Sequence, residues 1–406
     1  MSVKLPSSIR GLKRWNPDLL SFIFHIPSFT IPATQVPEVI KDIKSMLLKR
    51  PNFKPITSQN DLRTIYIDPE HLLKAKEALV SLKLDKVEWK DEEVKLEADN
   101  WRPDEILGAI LPSGEEGLSS FSTIGHIAHV NLRDHLLPYK ELIGEVILRH
   151  KHIRTVVRKI DAIENTYRNF SMEVIGGEKD NFEVLVKESG VKFKFDFSNV
   201  YWNPRLSTEH DRITEMIQSS DVVVDVFAGV GPFVVPIGVK KKPHLILAND
   251  LNPASFKYLN INKELNKIKG NFKTFNLDGR DFLKRIVKKE LHALDTQRKV
   301  HVVMNLPAIA IEFLDAFASL LSEEGELKSF PEELNVHVYC FSSAEDRTED
   351  VRHRIKCVIE EIRTEEITVS FVRSVSRNKD MYRASFRMIE AVLLSPRAKK
   401  RKLNND

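Results

Sequence analysis

The residues with the clearest chemical potential each follow an apolar run in the second half of this 406-residue chain. The run at residues 221–226 leads into Ala-Gly-Val-Gly-Pro, where Gly229 and Gly231 allow a tight turn and a close backbone approach to a ligand. Later apolar runs are followed by three polar residues, Asp250, Asp278 and Asn305. Carboxylate and amide groups can bind hydroxyl and amino groups. The pattern indicates a site for a nucleoside-like ligand.

The spacing of these residues narrows the ligand class. Asp250 lies 25 residues after Asp225, near the spacing at which an acid at the end of a second strand binds ribose hydroxyls. No third glycine completes G-x-G-x-x-G, and no Lys-Ser/Thr pair follows as in a P-loop. A nucleoside cofactor without a pyrophosphate fits better, and S-adenosyl-L-methionine is the common one. The glycine segment alone could be an ordinary turn and each Asp alone a helix cap, but together they favour a cofactor site.

Strands that alternate with helices are needed to bring these residues together. Residues 222–226, 244–248, 272–276 and 301–304 read as strands, residues 336–341 and 368–372 as later strands, and residues 384–394 as the strand that closes the sheet. This alternation predicts an α/β fold with a doubly wound, mostly parallel sheet. A ligand of such a sheet binds at the carboxyl ends of the strands, where the polar residues fall.

Composition excludes several classes of protein. The chain is 42% hydrophobic and 30% charged, and no apolar run approaches the roughly 20 residues that span a bilayer, so no membrane is expected. Its two cysteines, Cys340 and Cys357, cannot build a disulfide framework or a zinc cluster, which indicates a reducing compartment and no metal. The net charge of +4 permits a polyanionic partner without requiring one.

Both ends of the chain are basic. Residues 1–17 hold four basic residues and no acid, which resembles a weak mitochondrial targeting segment. Residues 396–402 hold five basic residues and resemble a nuclear localisation signal. Either could equally be a solvated terminus. The expected localisation is the cytoplasm, the nucleus and the mitochondrial matrix.

Two smaller α+β modules are expected before the sheet. In residues 1–110, the sequence predicts a strand at 64–67, a helix opened by Asp68-Pro69 that runs to about Leu82, and short strands at 87–89 and 94–96. This module holds no catalytic constellation, so a docking role is expected. Residues 111–200 open with a Gly/Ser-rich linker at 112–125, continue with a helix at Pro138 and include strands at 171–175, 182–186 and 191–197. The third domain is residues 201–406.

Several stretches of the chain resemble the eukaryotic and archaeal tRNA (guanine-37-N1)-methyltransferases. They are residues 129–133 (HVNLR), 167–174 (YRNFSMEV), 201–210 (YWNPRLSTEH), 225–231 (DVFAGVG), 249–253 (NDLNP) and 304–308 (MNLPA). The resemblance covers roughly residues 120–390, and residues 1–110 match only loosely. It implies a class I methyltransferase domain that uses S-adenosyl-L-methionine to methylate N1 of the guanosine 3′ of the anticodon. In tRNA-Phe this is also the first step of wybutosine synthesis.

The resemblance also implies a division of labour among residues. N1 of guanine carries a proton at neutral pH, so the reaction needs a base for that proton and a donor for the charge that develops on O6. By resemblance, Glu209 is the base, Arg168 the donor to O6, Asn305 the partner of the guanine edge and Tyr201 the neighbour of the base. Arg205 and Arg133 would bind the RNA. The implied cofactor residues are His210, Asp225, Gly229, Gly231, Asp250, Leu251, Asp278, Gly279 and Asn305.

The expected partner is tRNA, bound by its anticodon stem-loop and its body to a monomeric enzyme, with the target base extruded. Residues 305–308 depart from the Asn-Pro-Pro-aromatic motif of many amino-methylating enzymes, so stacking on that base must come from elsewhere, for example from Tyr201 or Trp202. Two rival readings stay open. One is the related wybutosine-pathway aminocarboxypropyl transferase, and the other is a non-catalytic RNA-binding scaffold.

Overall fold

The computed structural model describes residues 3–112, 118, 121–160, 172–294, 298–318, 320–321 and 331–394. These residues form two compact units. The first contains the described residues up to Lys159 together with Met172–Asn181, and the second contains Ile160 and the described residues from Phe182 onward. The three-module division at residues 110 and 200 stays a prediction.

An antiparallel sheet with the strand order β2-β3-β1-β4 opens the first unit. Its strands are β1 (Phe22–Pro32), β2 (Ile56–Gln59), β3 (Leu62–Tyr66) and β4 (Trp89–Leu96). Helices α1 (Val36–Ile43) and α2 (Leu72–Ser81) supply buried residues to a core shared with the sheet. The side chain of Asp68 accepts a hydrogen bond from the amide of Glu70, which confirms the predicted cap before α2.

A second sheet of this unit has the order β5-β6-β7-β8. Helix α3 (Pro103–Ile110) precedes its strands β5 (Phe121–Ile124), β6 (Ile127–Val130), β7 (Thr155–Lys159) and β8 (Met172–Gly177), and α4 (Lys140–Ile147) lies between β6 and β7. The predicted helix at Pro138 is therefore present, with a 3₁₀ turn over Asp134–Tyr139 before it. Gly144 and Gly176 bring α4 against β8, since a Cβ at Gly144 would lie 2.1 Å from the carbonyl oxygen of Ile175.

Two predictions for this unit were wrong in detail. The two short strands at 87–89 and 94–96 are one continuous strand, β4, because it pairs along its whole length with β1. The end of the expected linker at 112–125 is strand β5, which pairs with β6. Strand β1 itself was missed, because its prolines Pro27 and Pro32 and its run of four buried residues obscure the alternating pattern.

The first strands of the second unit among the described residues form a hairpin of β9 (Glu183–Glu188) and β10 (Val191–Asp196), which is followed by α5 (Ser207–Met216). Sequence analysis placed these two strands in residues 111–200, whereas they group with the second unit. The reason is their contact with α7 (Pro253–Leu265), where the side-chain oxygen of Asn262 accepts from the amide of Lys194 across 2.7 Å.

The main sheet of the second unit has the order β13-β12-β11-β14-β15-β17-β16 over the described residues. Its strands are β11 (Val222–Asp225), β12 (Leu245–Asn249), β13 (Phe272–Phe275), β14 (Lys299–Met304), β15 (Glu333–Ser342), β16 (Thr368–Ser376) and β17 (Lys379–Arg387). Pairing is parallel from β13 to β15, whereas β17 is antiparallel to both of its neighbours. The predicted doubly wound, mostly parallel sheet is confirmed.

Helices cover this sheet and make its central strands inaccessible. They are α6 (Val234–Lys240), α8 (Gly279–Asp281), α9 (Lys288–Ala293), α10 (Arg347–Val358) and α11 (Glu390–Leu394), besides α5 and α7. The expectation of a strand over residues 384–394 was wrong for its second half. The strand ends at Arg387, and the following residues form α11, whose Leu393 packs into the core.

Within the described residues, no helix is long and apolar enough to cross a membrane. The same part of the chain contains no group of three or more His, Cys, Asp or Glu side chains that could hold a metal ion. Cys340 is buried in β15 and Cys357 is exposed on α10, and both are free thiols. Burial raises the pKa of Cys340 to about 12, which makes it a core residue rather than a nucleophile.

Candidate active site

The loop after β11 takes the shape that its glycines predict. Gly229 has a φ of +55° and Gly231 a φ of +95°, both in the left-handed region that favours glycine. The amide of Gly231 donates to the carbonyl of Ala228 across 2.9 Å, and the carbonyl of Gly231 accepts from Val235 at the start of α6. A Cβ at Gly231 would lie 2.6 Å from the Val235 side chain, whereas a Cβ at Gly229 would meet nothing within 4 Å. Gly231 is therefore required for packing, and Gly229 leaves open space beside the loop.

Two acids lie next to this loop. Asp250 accepts from the amide of Gly229 across 2.8 Å with one oxygen and from the amide of Asn252 across 2.9 Å with the other. Asp225 is fully buried, and its Oδ2 has no hydrogen-bond partner among the described residues. Burial raises the pKa of the Asp225 carboxyl well above its ordinary value, and the nearby Asp250 raises it further. An unpaired buried acceptor of this kind suits a ligand that donates hydrogen bonds.

Asn249, which sequence reasoning used only as part of a motif, fixes the ends of three strands. Its amide nitrogen donates to the carbonyls of Val226 and Leu277 across 3.1 and 3.0 Å, and its amide oxygen accepts from the Leu277 amide across 2.9 Å. Asn249 is 1% exposed, so these bonds replace contacts with water. A single buried amide thus holds the loops after β11, β12 and β13 together.

His210 lies between the hairpin and the glycine loop. Its Nδ1 is 2.6 Å from a carboxylate oxygen of Glu188, and its ring meets Phe233 edge to face at 4.7 Å. Because a carboxylate only accepts, Nδ1 is the donor, and a neutral ring then presents Nε2 as an acceptor. Nε2 is buried and has no partner in the described part of the chain. Glu188 was not identified from the sequence, because the 22 positions that separate it from His210 form no recognisable motif.

The remaining cofactor candidates are less constrained. The Asp278 side chain accepts a hydrogen bond from the amide of Arg280 across 2.8 Å and thereby caps α8. Asp278 is also exposed to solvent. Gly279 is buried, and a Cβ there would lie 3.0 Å from the rings of Phe227 and Phe313. Leu251 is 42% exposed. Asn305 follows β14, and its Oδ1 is buried without a partner among the described residues.

Glu209 is the most heavily bound acid of the site. It is 3% exposed and lies in the first turn of α5. Its Oε1 accepts from the Tyr339 hydroxyl across 2.9 Å and from Arg383 Nη1 across 2.6 Å, while Arg212 Nη1 lies 3.2 Å from Oε2. Phe233 packs against Tyr339 with ring centroids 5.7 Å apart, so this cluster adjoins the glycine loop. An acid that only began an exposed helix would not be buried against side chains of two neighbouring strands.

Tyr201 and Arg205 lie on an exposed turn before α5. The Tyr201 hydroxyl accepts from the amide nitrogen of Asn203 across 3.2 Å, and Arg373 of β16 donates to the Asn203 side-chain oxygen across 3.4 Å. Tyr201 is 46% exposed, which leaves its ring accessible. Trp202, the other stacking candidate, is buried against Phe193 and Phe195 of the hairpin. The suggestion that Trp202 stacks on a base was therefore wrong.

Two predicted residues are not placed in this site. Arg168 lies outside the described residues. Arg133 belongs to the first unit, where it is exposed and precedes the 3₁₀ turn at Asp134–Tyr139. A cavity of about 300 Å³ lies at the opposite, amino ends of β12 and β13, lined by residues such as Lys242, His244 and Asn271. It contains none of the predicted site residues.

Comparison with known proteins identifies the family. Residues 184–366 match the model of the TRM5/TYW2 methyltransferase domain, and residues 104–180 match that of the TYW2 N-terminal domain. The tRNA (guanine(37)-N(1))-methyltransferase of Drosophila melanogaster is 45% identical over 94% of this chain and 86% of its own length. That of Danio rerio is 41% identical over 96% of this chain and 84% of its own length. The chain belongs to the tRNA (guanine(37)-N(1))-methyltransferase family.

Solved structures agree with this family in fold. Trm5b from Pyrococcus abyssi covers 89% of this chain and is itself covered to 98%, with a TM-score of 0.60 and 25% identity. The aTrm5 chain in a complex with tRNALeu covers 90% of this chain and is fully covered, with a TM-score of 0.62 at 21% identity. The second likeness supports the fold alone. The relatives at 41–45% identity confirm the family resemblance found in the sequence motifs.

The residues present fit S-adenosyl-L-methionine, the cofactor of this enzyme class. Asp225 Oδ2, Asn305 Oδ1 and His210 Nε2 are buried and have no hydrogen-bond partner among the described residues. Such acceptors suit the hydroxyl and amino groups of a nucleoside and an amino acid. The loop lacks a third glycine for a pyrophosphate, in agreement with a ligand that has none.

Proposed function

We propose that this protein transfers a methyl group from S-adenosyl-L-methionine to N1 of guanosine 37 in tRNA, and in tRNA-Phe thereby starts wybutosine synthesis. The observation that carries the proposal is Glu209, a buried carboxylate next to the glycine loop. Family membership at 41–45% identity over nearly the whole chain supports the same activity.

Each candidate residue has a chemical task in this proposal. Asp225, Asp250 and His210 hold the cofactor beside Gly229 and Gly231, with Leu251, Asp278, Gly279 and Asn305 at the rim. When bound, the cofactor supplies an electrophilic methyl group. Glu209 accepts the proton of guanine N1, and the electron pair of the broken N1–H bond remains on N1, which becomes the nucleophile. This step needs Glu209 as a carboxylate.

The remaining candidates bind the RNA. Asn305 has an amide that can pair with the guanine edge, and the exposed ring of Tyr201 can border the extruded base. Arg205 is exposed and can bind a backbone phosphate. Arg168 as the donor to O6, Arg133 as an RNA ligand and the docking role of residues 1–110 remain proposals from the family resemblance. Monomeric state and the distribution among cytoplasm, nucleus and mitochondrial matrix also remain predictions.

The test is methylation of unmodified tRNA transcripts that carry guanosine or adenosine at position 37. We expect N1-methylguanosine in the first transcript and no product in the second. The Glu209→Gln variant should lose turnover and keep cofactor binding, measured by calorimetry. Glu215→Gln is the matched control, because Glu215 is an exposed acid of the same helix whose side chain is 71% accessible. Full activity of Glu209→Gln would contradict its role as the base.

The same assay separates the rival readings. Mass spectrometry of the product distinguishes the mass of a methyl group from that of an aminocarboxypropyl group. A non-catalytic scaffold would yield no product with either transcript and no heat of binding with S-adenosyl-L-methionine.

A further inference from the structure

The two oxygens of Glu209 lie in different surroundings. Oε1 is bound by two buried donors, Tyr339 Oη and Arg383 Nη1, across 2.9 and 2.6 Å. Tyr339 is fully buried and Arg383 is 7% exposed. Oε2 has only Arg212 Nη1 at 3.2 Å, and the Arg212 side chain is 52% exposed. One oxygen is therefore fixed by the sheet, and the other contacts an exposed side chain.

The sheet holds the two donors of Oε1 side by side. Tyr339 on β15 and Arg383 on β17 are directly opposed in the antiparallel register, so their side chains project from the same face. Helix α5 places Glu209 against that face. Burial raises the pKa of the Tyr339 hydroxyl well above its ordinary value, and the charge of Glu209 raises it further. The hydroxyl thus remains a donor throughout the working pH range.

A buried arginine is costly unless its charge is compensated. Arg383 meets this need through Glu209, but its Nε has no partner in the described part of the chain. An apolar pair of similar size would satisfy packing at this place without that cost. The presence of a buried arginine at this place therefore indicates that Arg383 has a role in holding the carboxylate of Glu209.

We propose that Arg383 and Tyr339 are positioning residues that hold Oε1 of Glu209, so that Oε2 is the atom that accepts the proton of guanine N1. This inference rests on the proposed function. Arg212 belongs to the same helix as Glu209 and is half exposed, so it can leave Oε2 when the base arrives without any repacking of the core. The N1–H bond breaks, its proton passes to Oε2 and its electron pair stays on N1.

The Arg383 cation lies 2.6 Å from Oε1 of Glu209 and compensates the charge of this buried carboxylate. Among the described residues, Arg212 on the same helix and Tyr339 on β15 also contact Glu209.

Three variants test the inference in single-turnover methylation of a guanosine-37 transcript by the full chain. Tyr339→Phe should slow the step by about tenfold to a hundredfold, the range for losing a hydrogen bond to a charged group. Cofactor affinity and the KM for tRNA should stay within about twofold of the parent values, a range well below the loss expected in rate. Arg383→Met should slow the step at least as much as Tyr339→Phe, because it removes the charged donor of Oε1. Arg383→Lys should restore part of the rate, because an ammonium group keeps the charge and loses the planar fork.

Matched controls come from the same strand. Arg387→Met removes an exposed arginine of β17, and Tyr382→Phe removes a hydroxyl from the opposite face. Both should keep the parental rate. If Arg383→Met does not fold, as judged by circular dichroism, Tyr339→Phe and Arg383→Lys still decide the question.

The outcomes separate this inference from the proposed function. Parental rates in Tyr339→Phe and Arg383→Lys, with Glu209→Gln inactive, would overturn the positioning role and leave the methyltransferase intact. The positioning role would also be overturned if these variants lost cofactor affinity but kept the parental methylation rate. That result would indicate that the two residues only stabilise the fold. Failure of the parent protein to methylate guanosine 37 would instead refute the proposed function.

Discussion

The backbone amide of Gly229 donates a hydrogen bond to Oδ2 of Asp250 across 2.8 Å, which ties the glycine loop after β11 to the end of β12. The other oxygen of Asp250 accepts from Asn252, which in turn caps α7 through the amide of Ala254. Asp250 therefore shapes the loop in addition to any contact it makes with a ligand.

Replacement of this acid should affect both affinity and stability. We expect Asp250→Ala to raise the Kd for S-adenosyl-L-methionine by about tenfold to a hundredfold, and to lower the free energy of unfolding by about 1–3 kcal/mol because buried amides lose their acceptor. Calorimetry and thermal unfolding measure the two effects. Glu361→Ala, an exposed acid of the same unit, is the control and should change neither. An unchanged Kd in Asp250→Ala would remove Asp250 from the cofactor site.

Substitution of Gly231 separates backbone strain from steric overlap. Gly231→Ala combines a φ of +95° with a Cβ 2.6 Å from Val235 and 2.8 Å from Leu259, both fully buried. Gly270→Ala has a similar φ of +108° and no atom within 4 Å. Strain costs about 1–3 kcal/mol at either position, and overpacking adds about 1–3 kcal/mol at Gly231 alone. Chemical denaturation should give Gly231→Ala a lower free energy of unfolding than Gly270→Ala. Only Gly231→Ala should weaken cofactor binding. Equal losses in the free energy of unfolding would show that the side chains of Val235 and Leu259 move aside without a measurable cost.

The stacked pair His301 and His337 predicts a stability that depends on pH. Their ring centroids lie 5.4 Å apart, and Nδ1 of His301 is 3.1 Å from Nε2 of His337 in the buried sheet. Burial, with help from His301 and Arg383, lowers the pKa of His337 to about 3. Burial also lowers the pKa of His301, although Asp221 opposes this.

The direction in which stability changes with pH follows from proton linkage. Between the ordinary histidine pKa of 6.5 and about 3, the unfolded chain binds a proton that the folded His337 does not, so stability is present above 6.5 and is lost as the pH falls. Each pKa unit corresponds to about 1.4 kcal/mol, so the loss can reach a few kcal/mol. Denaturation at several pH values should show a shallower acid slope for His337→Gln. His353→Gln, at an exposed position of α10, should keep the parental slope, and identical slopes for all three proteins would contradict the assignment.

The local parts of the site were predictable from sequence. The β-branched run before Gly229, the two glycines and the polar ends of successive strands each depend on residues that are close in the chain. Their strand pairing and positive φ values are as expected. A binding site built from one strand-turn-helix segment can be predicted from its sequence, because the same residues both determine the backbone conformation and face the ligand.

Long-range partners were not predictable. Glu209 and Arg383 are 174 residues apart, and only the antiparallel pairing of β15 with β17 brings Arg383 and Tyr339 to one carboxylate. For the same reason, the contact of Glu188 with His210 could not be predicted from the sequence. The burial of Trp202 by the hairpin could not be predicted either, so Trp202 was wrongly considered a stacking candidate. The sequence by itself determined the fold class, the cofactor loop and the identity of the candidate base. The tertiary structure decided which oxygen of that base is held by buried donors and which contacts only an exposed arginine, because this depends on strands that pair only after the whole sheet has formed.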